Sequence, residues 1–111
     1  MSISAKRIKE ARMRLGLTQS ALGKLLGLNE SAASSRINHY EKARHCPPFE
    51  FMEKLSRESN TPISCFYESD DTLVEIIQIV HNLPHSKKEL ILSVLLELNE
   101  REKEQKNSNE I

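Results

Sequence analysis

The sequence predicts an all-α protein, with a five-helix domain over residues 1–69 and two further helices over residues 70–111. Three observations carry this. Apolar residues recur at three- and four-residue spacing along most of the chain, the repeat of helices with one buried face. Residues 17–48 read as two short amphipathic helices joined at Gly27, with a basic segment behind them. Residues 73–80 and 90–98 carry apolar side chains around more than half the helical circumference, wider than one core contact needs.

In order, residues 4–15 form the first helix, with Ala5, Ile8, Ala11 and Leu15 inward and Gly16 as its stop. Lys6, Arg7, Lys9, Arg12 and Arg14 decorate the rest, either as a solvated basic face or as phosphate contacts. Thr18 opens the second helix, its hydroxyl able to accept from a first-turn amide. Leu22, Leu25 and Leu26 fall on one face of it, and Gly27 ends it, since glycine takes the left-handed conformation without strain. The third helix turns Ala33, Ile37 and Tyr40 inward and Ser31, Ser34, Ser35 and Asn38 outward. Pro47 and Pro48 break the chain and start a fourth helix on Phe51, Met52 and Leu55. Asn60 and Pro62 close it, and a short fifth helix brings Ile63, Phe66 and Tyr67 to the core.

Beyond residue 69, Asp70 or Asp71 caps a helix running to about Asn82, and Pro84 breaks it. Ser86 to Glu89 then reads as a capping box opening a long helix, with a polar end that frays from Arg101 onward. Two such broadly apolar helices need a second surface to cover, and self-association supplies it most simply. Leu73, Ile76, Ile77, Val80, Ile91, Leu92, Leu95 and Leu96 are the expected dimer contacts.

Two helices joined by a tight glycine turn, the second polar outward, place a recognition helix in a DNA major groove. The string LTQ…LG…LLGL…INHYEKARHCP resembles the helix-turn-helix of the lambda-repressor-like (Xre/Cro) family of transcription regulators, over roughly residues 4–68. The resemblance implies a five-helix DNA-binding domain in which Gln19 clamps a phosphate. Two departures stand out. The family usually has alanine where this chain has Gly23, and about four fewer residues between the turn glycine and the isoleucine at position 37. Four residues are close to one helical turn, so the addition reads as a recognition helix one turn longer at its N-terminus, with Asn29 as cap. A longer non-helical turn is the competing reading.

The expected DNA-facing set is Thr18, Gln19, Ser31, Ser34, Ser35, Arg36, Asn38, His39, Lys42 and Arg44. Hydroxyls and amides can read base edges, asparagine pairing best with adenine. Lys42 and Arg44, with His45 beside them, suit backbone contacts, which position without specifying sequence. Charge distribution agrees with double-stranded DNA as the partner. Residues 1–47 hold nine Lys and Arg against three Glu, whereas residues 70–111 hold five against nine acidic groups, within a net charge of zero.

No catalytic arrangement, cofactor motif or metal-ligand spacing stands out, and His39, His45 and Cys46 lack a fourth ligand. No apolar run reaches the length of a membrane span, which with two cysteines points to a cytoplasmic protein. The expectation is therefore a homodimeric, sequence-specific DNA-binding regulator, a repressor on a two-fold operator and not an enzyme. An antitoxin-like protein, whose C-terminal helices bind a partner protein, is the alternative.

Overall fold

In the computed structural model, which describes residues 2–109, the described residues form six α-helices, one 3-10 helix and no strand. They are α1 (Ile3–Arg14), α2 (Gln19–Leu25), α3 (Glu30–Glu41), α4 (Phe49–Glu58), the 3-10 helix (Ile63–Tyr67), α5 (Asp71–His81) and α6 (His85–Asn109). The chain divides into two units, Met1–His81 and Asn82–Ile111.

The ends of the first helices follow from local chemistry. Ser2 and Thr18 cap α1 and α2, their hydroxyls accepting from the Ala5 and Ala21 amides at 3.3 and 3.1 Å. After α2 the chain turns left-handed at Gly27 (φ +87°), so that Leu28 N–H donates to the Gly23 carbonyl at 2.9 Å. The same closure follows α3, but an alanine performs it. Ala43 has φ +58°, and Arg44 N–H reaches the His39 carbonyl at 2.9 Å.

Ile8, Ala11, Leu22, Leu26, Ile37, Tyr40, Phe51, Met52, Leu55 and Phe66 make the core of the first unit. Each large apolar side chain fully buried there contributes about 1.5–3 kcal/mol over remaining exposed. Tyr40 and Phe51 meet edge to face at 4.8 Å, tying α3 to α4. Two expected core residues lie elsewhere. Leu25 is 48% exposed and Tyr67 58% exposed, while Cys65, two residues before Tyr67, is buried and its thiol is pushed up by that burial.

The basic face of α1 is only partly solvated. Arg7 is buried and donates to the Glu68 carbonyl at 3.0 and 2.7 Å, while also pairing with Glu10 and Asp71. Burial works against its charge, but the two carboxylates outweigh that and hold its pKa above the ordinary value. Arg14 donates to the Thr61 hydroxyl at 3.2 Å. Except for Glu10, one turn along α1, these partners lie more than forty residues away along the chain, which is why helical periodicity does not reveal them.

α5 belongs to the first unit as packed. Asp70 caps it, accepting from the Thr72 and Leu73 amides at 3.0 and 3.2 Å, and Val74 is buried. Asp71 pairs with Arg7 at 2.8 Å and with Lys6 at 3.2 Å. α6 starts at His85, ahead of Ser86, so Ser86 is a first-turn residue and the expected capping box does not form. His85 instead pairs with Glu89 at 3.0 Å. The helix also continues past Arg101 to Asn109, helped by an Arg101–Glu97 pair at 2.6 Å.

Candidate nucleic-acid interface

α3 presents two faces. Ala33, Ile37 and Tyr40 are buried, and Ser31, Ser34, Ser35 and Arg36 are exposed. Asn38 and His39 are half-buried on the flanks. The helix begins at Glu30, with Ala32 N–H donating to the Asn29 carbonyl at 3.0 Å, so the additional residues are helical and lengthen α3 by a turn. Asn29 occupies the cap position without a side-chain hydrogen bond. Glu30 pairs with Lys24 at 3.6 Å, which draws its carboxylate towards α2.

A hydrogen-bonded cluster holds α3 against α1 and α2. Arg12 meets Glu41 bidentately at 2.6 and 3.0 Å and donates to the Leu17 carbonyl at 3.0 Å. The Glu41 side chain is only 4% exposed, and its hydrogen bond raises the Arg12 pKa against the opposing effect of burial. Gln19 Nε2 donates to Glu41 Oε1 at 3.3 Å and to Asn38 Oδ1 at 3.2 Å. Arg12 is thus a positioning group, which reading α1 as a solvated basic face misses. The signal available in the sequence is only the glutamate of Tyr40-Glu41-Lys42, too polar for a helix face that packs on α1 unless a cation meets it.

This cluster decides what Gln19 and Asn38 can offer. The Gln19 amide nitrogen is already donating twice within the protein, so a phosphate would have to share or displace one bond. Asn38 keeps its N–H donors and a second carbonyl lone pair, which suffice for a base edge. Thr18 accepts from the Ala21 amide as the α2 cap, and its O–H remains able to donate. Lys42 and Arg44 are exposed on either side of Ala43, at the end of α3 nearest the basic segment.

A shallow cleft of about 530 Å³ lies between α3 and that segment. α3 contributes Ala32, Ser35, Arg36, His39 and Tyr40, and the chain behind it contributes His45, Cys46 and Pro48. The His39 and His45 rings stand 4.9 Å apart, tilted by 59°. Among the described residues, no group of three or more His, Cys, Asp or Glu could hold a metal ion.

The expected dimer contacts differ in exposure. In α5, Leu73 and Ile76 are exposed, and Ile77 and Val80 are half-buried. In α6, Ile91 is half-buried, and Leu92, Leu95 and Leu96 are 50–56% exposed. No described helix is long and apolar enough to cross a membrane.

A family model described as helix-turn-helix matches residues 8–64. The chain is similar to the transcriptional regulator BswR, a solved structure, at 34% identity and a TM-score of 0.78. That similarity covers 87% of this chain and 94% of the other. Among curated proteins no significant match is found.

Proposed function

The chain belongs to the lambda-repressor-like helix-turn-helix family of DNA-binding transcription regulators, and from that premise we propose that it acts as a homodimeric repressor on a two-fold symmetric operator. The observation that carries this is the outer face of α3. Ser31, Ser34, Ser35 and Arg36 stand exposed on a helix whose other face is locked to α1 and α2 through Glu41, so the reading groups are displayed on a rigid support. Lys42 and Arg44 follow it with charge for the phosphate backbone. The exposed leucines of α6 and isoleucines of α5 supply apolar surface for a second copy, and dimeric regulators of this kind read two half-sites. Bound across a promoter in the cytoplasm, such a dimer blocks transcription by position.

The reading separates into two kinds of variant. Lys42→Ala and Arg44→Ala should weaken binding to all duplexes, each lowering the slope of log affinity against log salt by about 1. Ser35→Ala and Asn38→Ala should relax preference at single base positions, by about 1–3 kcal/mol. Unchanged site preference in both of the latter would remove the outer face of α3 as the reader. Sedimentation showing a monomer at micromolar concentration would remove the dimer.

A further inference from the structure

The cleft behind α3 brings His39, one of the expected DNA-facing residues, together with His45, beside the expected backbone contacts. We propose that His39 and His45, with Arg36, form a proton-linked seat for a backbone phosphate of duplex DNA, so that binding takes up protons. The inference rests on the DNA-binding reading above and adds a pH dependence to its phosphate contacts.

The geometry supports a single seat and not two independent surface histidines. The rings are 4.9 Å apart on different segments, His39 on α3 and His45 behind it. The left-handed turn at Ala43 and the Arg44 N–H to His39 carbonyl bond at 2.9 Å bring the two segments together. Arg36 lies one turn before His39 on the same wall of the cleft, and Ser35 beside it adds a hydroxyl.

Charge decides the ligand. From α3 the ionisable groups lining the cleft are Arg36, His39 and the phenol of Tyr40. From the segment behind they are His45 and the Cys46 thiol, and Pro48, just ahead of α4, adds no charge. Lys42 and Arg44 adjoin in sequence, and no carboxylate lines the cleft. With no carboxylate in the cleft to compete, an anion seated there favours the charged form of each imidazole. The cleft opens beside the exposed Ser35 and Arg36 of α3, where a duplex held on the outer face would bring its phosphates.

The sign follows from linkage. A group whose pKa is higher in the complex than in the free protein takes up a proton on binding. Its contribution to affinity is complete below the free value and is lost as pH rises through the value in the complex. Imidazole changes charge between about pH 5 and 8, so affinity should fall as pH rises across that window.

The test measures binding to a mixed-sequence duplex at fixed low salt, from about pH 5.5 to about 8. Wild-type affinity should fall by up to about tenfold per pH unit for each linked histidine. His45→Gln and His39→Gln should each reduce that dependence, and the double variant should abolish it. His81→Gln, in α5, should leave it intact. Calorimetry of the wild type in two buffers of different ionisation enthalpy reads the same proton uptake without any variant. Flat affinity across the window with no proton uptake would overturn the seat while leaving DNA binding intact. Sulfate, whose charge is fixed across this window, producing the same proton uptake as duplex would make this a free-anion site and overturn the assignment to DNA. Failure of any duplex to bind at any pH would overturn this inference together with the reading beneath it.

Discussion

A Cβ placed on Gly23 would lie 2.6 Å from the Cβ of Ala33, and 2.9 and 3.0 Å from its Cα and carbonyl oxygen. α2 and α3 therefore cross at van der Waals limits, with no room for a side chain on α2. This joins the two departures from the family pattern. Ala33 lies in the additional turn of α3, and that turn approaches the position where the family usually carries alanine.

Gly23→Ala should accordingly destabilise, although alanine is the better helix former by about 1 kcal/mol. Overpacking of a fixed contact costs about 1–3 kcal/mol, and two of the three clashing atoms are backbone that cannot rotate aside. Urea denaturation should show a lower midpoint at unchanged slope. Adding Ala33→Gly should restore only part of the loss, since the backbone contacts persist. A stabilised Gly23→Ala protein would contradict the close crossing.

Glu41→Gln keeps the shape of the side chain but removes the charge that Arg12 meets bidentately. Both side chains are largely buried, at 13% and 4% exposure, so the uncompensated guanidinium should cost roughly 3 kcal/mol. Because Gln19 donates to the same glutamate and also to Asn38, DNA affinity should drop at temperatures where the variant is still folded. Thermal melts and binding at low temperature separate the two effects.

Ala43 holds a left-handed conformation in an exposed turn, where a Cβ costs about 1–2 kcal/mol. Ala43→Gly should therefore raise stability, by roughly 0.5–1 kcal/mol after the entropy of the unfolded glycine is subtracted. A midpoint that falls in denaturant would show that the turn is not strained.

The Asp71 carboxyl is held below the ordinary carboxylate range, first by its hydrogen bond from Arg7 and then by Lys6. A carboxylate depressed on folding contributes stability above its unfolded pKa and loses it as pH falls through the folded value. Acidification below the ordinary carboxylate range should loosen α5 from α1 before the core yields. Hydrogen exchange at α5 amides should accelerate there, and Asp71→Asn should show the faster exchange already at neutral pH.

Periodicity carried most of the fold. The inner faces of α1, α3 and α4 are set by apolar spacing, and the end of α2 by Gly27. What it did not carry was long-range polar pairing. Arg7 and Arg12 share the helical pattern of solvated lysines, and only the folded chain brings Glu68 and Glu41 to them. The 3-10 helix shows the same limit, because its i to i+3 repeat takes Tyr67 off the Ile63–Phe66 face, where an α-helical reading buries it. On the candidate interface, the exposed groups of α3 were legible from its outer face. The engagement of Asn38 by Gln19 depends on two helices crossing and was not.

Selection of bound sites from random duplex DNA, by the full chain and by a chain ending at His81, tests the central claim most directly. A homodimer reading with α3 should enrich two-fold symmetric sites, with half-sites about one helical turn (~34–36 Å) or a multiple apart. The shortened chain, lacking α6, should enrich single half-sites with weaker affinity. Enrichment of asymmetric sites by the full chain, or of no sequence at all, would contradict a dimeric operator-binding regulator.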